Sequence, residues 1–183
     1  MQFQSLGLAD VKLITLKVFQ DARGSFMENF RLDLFQAQCG PYPLVQDNYS
    51  VSDAGVLRGL HFQWRRPQGK LLQVTRGRIF DVLVDLRPAS PTFGRWEGIW
   101  LDSRQPQLLW VPPGLAHGFY VAEGQADVSY KCTDYYQPDD QYVLAFDDPQ
   151  LQIQWPLSGP VLMSDKDQQG QQWSELLPLL QAG

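Results

Sequence analysis

Histidine and cysteine are scarce in this chain, with two of each among 183 residues. Cys39 and Cys132 stand far apart, and neither has a closely spaced Cys or His partner. That argues against a zinc knuckle or a disulfide framework, and it suits a reducing cytoplasm. Long apolar runs are missing too. Asp10, Lys12 and Lys17 interrupt the first apolar positions, so neither a signal peptide nor a membrane span is expected. Positive charge is in deficit: 15 Lys and Arg against 20 Asp and Glu, a net charge of −5 and a pI near 4.9. A general nucleic-acid surface is therefore not expected. The chain also lacks a G-x-S-x-G nucleophile elbow, a phosphate-binding P-loop and a G-x-G-x-x-G turn. Serine hydrolysis and nicotinamide or flavin chemistry lose their usual signatures.

Aromatic residues and turn formers are plentiful: 13% aromatic with six Trp, 15 Gly and 13 Pro. Short β-branched or alternating segments recur between the Gly and Pro turns. They predict strands at 11–19, 25–30, 45–51, 56–63, 70–75, 78–87, 95–101, 107–111, 117–122, 125–133 and 141–146. The 117–122 and 125–133 segments are expected to pair around Glu123-Gly124. A short helix is predicted at 31–38, ended by Gly40-Pro41, and another starts at Ser164-Asp165-Lys166-Asp167. Beyond it, Trp173, Leu176, Leu177 and Leu180 make an apolar stripe that Pro178 limits. The expectation is an all-β fold, a jelly-roll barrel or sandwich with short peripheral helices near the C-terminus. With no repeat and no linker, residues 1–183 read as one domain.

Both histidines sit in apolar, Gly-flanked strand patterns: His61 within 55–63 and His117 within 112–119. A lone buried histidine is more often a satisfied core residue than a ligand. Arg58 and Lys70 shift that balance, because buried cations are rare unless they bind something. Strict alternation puts His61 and Gln63 on one face of 56–63 and Arg58 on the other. Arg58 and His61 share a pocket only if the alternation breaks, and Gly59 is where a bulge would break it. Gln46, Asn48 and Ser50 alternate onto one face, as a solvated row or as donors for a polar ligand.

The run Pro112-x-Gly114-x-x-His117 resembles the second motif of the cupins. Metal-binding cupins want two histidines and an acid in the first motif. Here His61, Gln63 and Lys70 stand instead, too few ligands for a transition metal, so a metal-free pocket is expected. A histidine, cations and tyrosines around an aromatic cavity suit proton abstraction next to a carbonyl, one option among several at this level.

Longer motifs narrow the choice. They include Val18-Phe19-x-Asp21-x-Arg23-Gly24, Val45-Gln46-Asp47-Asn48-x-Ser50, Val56-Leu57-Arg58-Gly59-Leu60-His61-Phe62-Gln63 and Gln68-Gly69-Lys70-Leu71. They continue through Phe80-Asp81-Val82-x-Val84-Asp85-Leu86-Arg87, Ala116-His117-Gly118-Phe119, Tyr130-Lys131-Cys132-Thr133-Asp134-Tyr135-Tyr136 and Ser164-Asp165-Lys166-Asp167. In order and spacing, from about residue 11 to 170, the chain closely resembles the dTDP-4-dehydrorhamnose 3,5-epimerases.

The resemblance implies a cupin-type jelly roll, usually a homodimer. It implies cofactor-free inversion of C3 and C5 of a thymidine-diphosphate 4-keto-6-deoxy sugar, in the pathway to dTDP-L-rhamnose. Carried over by motif, His61 resembles the general base, Asp167 its orienting partner, Tyr130 the opposing acid and Lys70 the cation near the sugar oxygens. Arg23, Glu28, Gln46, Asp47, Asn48, Arg58, His117, Tyr136 and Lys166 resemble substrate contacts, Arg23 for the diphosphate and Tyr136 as a stacking face for thymine.

Some positions depart from that pattern or leave room for other readings. Gln141 stands where many members are expected to carry an acid. Asp81 is either a second pocket carboxylate or a plain strand acid, and Trp64-Arg65-Arg66 reads as a solvated loop rather than a lid. Two rivals remain: an enzyme that epimerises only one carbon of a related sugar, and a non-catalytic nucleotide-sugar-binding cupin.

Overall fold

A computed structural model describes residues 1–182. The strands, in order, are β1 (Gln2–Ser5), β2 (Lys12–Thr15), β3 (Val18–Asp21), β4 (Gly24–Met27), β5 (Gln46–Asp53), β6 (Leu57–Gln63) and β7 (Lys70–Arg76). They continue with β8 (Arg78–Asp85), β9 (Trp96–Asp102), β10 (Gln107–Val111), β11 (Leu115–Tyr120), β12 (Gln125–Cys132) and β13 (Gln141–Val143). The helices are α1 (Leu32–Cys39), α2 (Asp165–Gln168) and α3 (Trp173–Gln181). Among the described residues no helix is long and apolar enough to cross a membrane.

Two antiparallel sheets form the body, ordered β1-β2-β10-β7-β12-β5 and β13-β6-β11-β8-β9. This is the jelly roll expected from many short strands, and it corrects some local readings. The 117–122 and 125–133 segments do not pair with each other. Instead β11 pairs with β6 and β8 in one sheet, and β12 with β5 and β7 in the other. The Glu123-Gly124 turn carries the chain across the sandwich because both strands must turn an apolar row toward a shared interior. The single strand read at 11–19 breaks after Thr15, and β3 leaves to form a separate hairpin with β4. Pro178 lies inside α3, whose Trp173, Leu176 and Leu180 are buried.

Alternation decides what faces the interior. Leu72, Val74, Ile79, Leu83, Phe119 and Val128 belong to one buried apolar cluster between the sheets. The opposite face of the second sheet carries Leu60, Phe62, Val82, Val84 and Leu86, covered by Trp173, Leu176 and Leu180. The outer face of the second sheet is therefore covered by hydrocarbon.

Candidate active site

β6 carries the first functional side chains, and its course is not regular. It pairs His61 with His117 and Arg58 with Phe119, so two residues of β6, Gly59 and Leu60, stand opposite the single Gly118 of β11. That is the bulge expected at Gly59. Gly59 has φ of +117°, and a Cβ there would lie 2.6 Å from the Cα of Gly118. Only glycine fits that conformation and that approach. The extra residue lets both reach the inner side of the sheet, Arg58 at its exposed edge and outside the cavity lining, His61 within that lining. The Arg58 guanidinium donates to Ser52 Oγ at 2.9 Å, on the inward row of β5, and His61 lines the cavity.

That cavity, about 290 Å³, is lined by Gln46, Asn48, His61, Phe62, Gln63, Gln68, Lys70, Tyr130, Cys132, Tyr136 and Gln141. His61 Nε2 lies 2.6 Å from Asp167 Oδ1. A carboxylate only accepts, so Nε2 carries the proton and Nδ1 is left as the ring's free acceptor. Asp167 comes from α2, whose N-cap Ser164 accepts from the Asp167 N–H at 3.2 Å, as the Ser-Asp-Lys-Asp pattern predicts. Its second oxygen accepts from the Gly59 N–H at 3.3 Å. Burial alone would raise the Asp167 pKa, but His61, the Gly59 N–H and Ser164 together hold it below the usual carboxylate value. The dyad therefore carries a permanent anion behind the imidazole.

Tyr130 and Lys70 reach the cavity from the other sheet, on β12 and β7. Burial raises the Tyr130 pKa, helped by Cys132 and opposed by Arg58, so the phenol stays protonated at neutral pH. Burial lowers the Lys70 pKa, while Cys132 and Asp81 pull it back up. The Lys70 ammonium has no hydrogen bond or ion pair among the described residues and is free to meet a ligand oxygen.

The remaining expected residues fall in three places. Gln46, Asn48 and Tyr136 line the cavity with those above. Lys166 stands at its rim, with Nζ 2.7 Å from Gln141 Oε1. His117 lies beside His61 but below the lining. It is buried, its pKa is lowered by desolvation against the pull of Asp81, and its Nε2 donates to Asp81 Oδ2 at 2.8 Å. Asp81 is thus a buried partner of His117 rather than a plain strand acid. Asp47 is not in the cavity, because alternation sends it to the outer face, where it pairs with Lys131 at 2.8 Å. Arg23 and Glu28 do not line the cavity either. Arg23 sits at the exposed turn of the β3–β4 hairpin, paired with Asp21 at 2.6 Å, and Glu28 just beyond β4 is exposed.

Phe62, Gln63, Gln68, Cys132 and Gln141 complete the lining; the sequence puts Gln63 on the His61 face but assigns no ligand contact to it, nor to Phe62, Gln68 or Cys132. Gln63 and Cys132 each lie two residues from a functional residue on the same strand, a signal that alternation supplies. The Trp64–Arg66 loop is pinned, since Asp140 accepts from the Arg65 and Arg66 N–H groups at 3.0 and 2.8 Å. Among the described residues no three His, Cys, Asp or Glu side chains converge to hold a metal ion.

What this arrangement can do follows from its two sides. An anion-backed imidazole with a free nitrogen faces the cavity from one sheet. A protonated phenol and an unpaired ammonium face it from the other. A ligand held between them meets a base on one face and an acid on the opposite one.

Comparisons with known proteins agree with this chemistry. The chain is 47% identical over 175 residues to a dTDP-4-dehydrorhamnose 3,5-epimerase of Neisseria gonorrhoeae, covering 96% of this chain and 53% of that longer protein. It is 45% identical to the Pseudomonas aeruginosa enzyme of the same name, covering 96% and 97% of the two chains. Its structure matches that of a dTDP-6-deoxy-D-glucose-3,5-epimerase from Legionella pneumophila in complex with dTDP-4-keto-L-rhamnose. The TM-score is 0.93, with 42% identity and 98% and 96% of the two chains covered. Residues 5–175 match the family described as dTDP-4-dehydrorhamnose 3,5-epimerase. The chain belongs to the dTDP-4-dehydrorhamnose 3,5-epimerase family.

Proposed function

We propose that this protein is an isomerase that inverts both C3 and C5 of dTDP-4-dehydro-6-deoxy-D-glucose, giving dTDP-4-dehydro-L-rhamnose for dTDP-L-rhamnose synthesis. The observation that carries the reading is the disposition of His61 and Tyr130 on opposite sheets across one cavity. Inversion needs a proton removed from one face of a carbon and another delivered to the opposite face.

The C4 ketone acidifies the hydrogens on C3 and C5. His61 Nδ1 takes the proton, and the C–H electron pair moves through the new C=C bond to the ketone oxygen. The Lys70 ammonium stabilises the enolate oxygen. Tyr130 donates its phenolic proton to carbon from the far side, and the electron pair returns from oxygen to carbon. The imidazolium then releases its proton to solvent and the phenolate regains one, which resets the site for the second centre. Asp167 holds the proton on Nε2 and stabilises the imidazolium as it forms. Gln46, Asn48 and Tyr136 hold the nucleotide, with Lys166 and Arg58 around the sugar and diphosphate, while His117, held by Asp81 beneath the lining, backs the sugar pocket. The reaction uses no cofactor.

We also propose that residues 1–183 act as one cytoplasmic jelly-roll unit that assembles as a homodimer. Phe19 and Phe26 on the β3–β4 hairpin are 51% and 69% exposed, an apolar surface that a second copy would cover. Arg23 on that hairpin and Glu28 just beyond it would then act in the partner's cavity. Light scattering that finds only monomer at micromolar concentration would overturn this assembly.

The deciding experiment follows C3 and C5 by NMR in D₂O with the 4-keto-6-deoxyglucose nucleotide and a downstream reductase. Deuterium at both carbons with an L-configured product supports the double epimerase. Deuterium at one carbon makes it a single-position epimerase, and none, with binding intact, makes it a binding protein.

A further inference from the structure

Gln63 ends β6, two residues beyond His61 and on the same face, and its side chain borders the cavity. Its amide is nevertheless turned to the protein. Oε1 accepts from the Gln137 N–H at 2.8 Å. Nε2 donates to the Arg66 carbonyl at 2.8 Å and, more weakly, to the Tyr135 carbonyl at 3.5 Å. Partners of opposite polarity fix which way the amide faces, and the residue is only 4% exposed. Both Nε2 hydrogens are engaged, so Gln63 has no donor left for a ligand.

Tyr135 and Gln137 flank Tyr136, and residues 133–137 form neither helix nor strand. The Tyr136 ring is 46% exposed, so packing on the core does not fix it and hydrogen bonds must. Its hydroxyl donates to Gln141 Oε1 at 2.6 Å and its N–H to Gln46 Oε1 at 2.8 Å. Asp134, two residues earlier, is held by the Arg66 guanidinium at 2.6 Å and by Gln68, whose Nε2 donates to the Asp134 carbonyl at 2.6 Å. Gln63 alone among these partners belongs to the strand that carries His61, about 7 Å further along it.

We propose that Gln63 is a positioning residue for nucleotide-sugar binding, tying the residues on either side of Tyr136 to β6 and so setting that ring's place relative to His61. This rests on the reading above that Tyr136 holds the nucleotide. Without the amide, the Gln137 N–H and the Arg66 carbonyl lose their partners. They recover hydrogen bonds only by moving toward water, and Tyr136 moves with them. His61 stays where Asp167 and the pairing of β6 with β11 hold it. Binding is then weakened, while a bound substrate still meets the base and the acid.

The test is a double-mutant cycle of Gln63→Met and Tyr136→Ala. Dissociation constants for thymidine diphosphate are measured by calorimetry, and kcat and KM on the 4-keto sugar nucleotide. Tyr136→Ala should raise the dissociation constant by about tenfold or more, the loss of one stacked base. Gln63→Met should raise it about five- to tenfold, raise KM in parallel and leave kcat within about threefold of wild type. In the Tyr136→Ala background the same change should weaken binding by less than about twofold, because the ring it places is gone. A purely structural role would not depend on Tyr136 in this way. Where Gln63→Met does not fold, Gln63→Glu, which sets an acceptor against the Arg66 and Tyr135 carbonyls, is read in the same cycle. Equal fold-changes in both backgrounds, unchanged binding in a folded Gln63 variant, or a fall in kcat with binding intact overturns the inference alone. If Tyr136→Ala binds thymidine diphosphate as tightly as wild type, the reading of Tyr136 falls and this inference with it.

Discussion

Replacing Asp167 with asparagine removes one charge and one acceptor from a site that needs both. The carboxylate serves two donors, His61 Nε2–H at 2.6 Å and the Gly59 N–H at 3.3 Å, and its side chain is 6% exposed. An asparagine has one acceptor oxygen. If that oxygen keeps Gly59, the amide N–H₂ faces His61 and drives the imidazole proton onto Nδ1, which abolishes the base. If it keeps His61, the Gly59 N–H is left against a donor. The lost charge-assisted hydrogen bond and the stranded donor together cost about 2–4 kcal/mol. For a chain of this length that lowers Tm by about 5–10 °C. The rate should fall by about a hundred- to ten-thousandfold, because both the tautomer and the stabilised imidazolium are lost. KM should change little, since Asp167 does not line the cavity.

The pH dependence has a definite sign. The folded Asp167 pKa lies below its unfolded value, so its stabilisation is fully present above the unfolded carboxylate pKa of about 3.9 and is lost as pH falls through the folded value. The stability gap between wild type and Asp167→Asn should therefore be constant from pH 6 to 8 and close below about pH 4. Thermal melts across that range, with NMR exchange rates at C3 and C5, measure both effects. A variant that keeps kcat within about tenfold would refute the dyad assignment.

Other substitutions separate the remaining roles. His61→Ala should abolish deuterium uptake at both carbons while nucleotide binding persists, and near-normal turnover would remove it as the base. Tyr130→Phe should leave measurable exchange but block inversion, so equal loss of both would argue against a one-sided acid. Lys70→Met should lower kcat yet raise Tm. Burial disfavours the ammonium, and that cost is present at every pH below the lowered folded pKa and disappears as pH rises through it toward the unfolded value. A lower Tm at pH 7 would show that Lys70 is structural. Burial pushes the Cys39 thiol up to about 11, so iodoacetamide should label it slowly at pH 8 and faster above pH 10. Fast labelling at pH 8 would contradict that burial.

Much of this was legible because the chemistry-bearing residues are few and badly suited to where they stand. A histidine and an arginine three residues apart in an apolar strand pose a question that only a bulge answers, and a glycine lies between them. The inward row Gln46, Asn48 and Ser50 followed from alternation alone. The same rule shows why Asp47, one residue off that row, faces outward to Lys131 despite sitting in a family motif. Motif membership carries no orientation. Strand pairing was less legible. A Glu-Gly turn between two β segments reads as a hairpin, and only the competition for a shared interior sends β11 and β12 to different sheets. The hairpin bearing Arg23 leaves the body after Thr15, where no composition change marks the break.

Gly59 joins these levels in one residue. Its positive φ makes the bulge, the bulge turns Arg58 and His61 to the same side, and its own N–H donates to the carboxylate that orients His61. An alanine there would meet the backbone of Gly118 and His117 at 2.6 and 2.7 Å, contacts that no side-chain movement relieves. Strain at positive φ adds about 1 kcal/mol to whatever the two strands must yield. Gly59→Ala should therefore cost several kcal/mol in a chemical melt and lower kcat more than Gly118→Ala does, because only Gly59 also supports Asp167. If the two variants lost stability and activity in the same proportion, the bulge would be a packing device alone. The alignment of His61 would then depend on Asp167 without help from the strand.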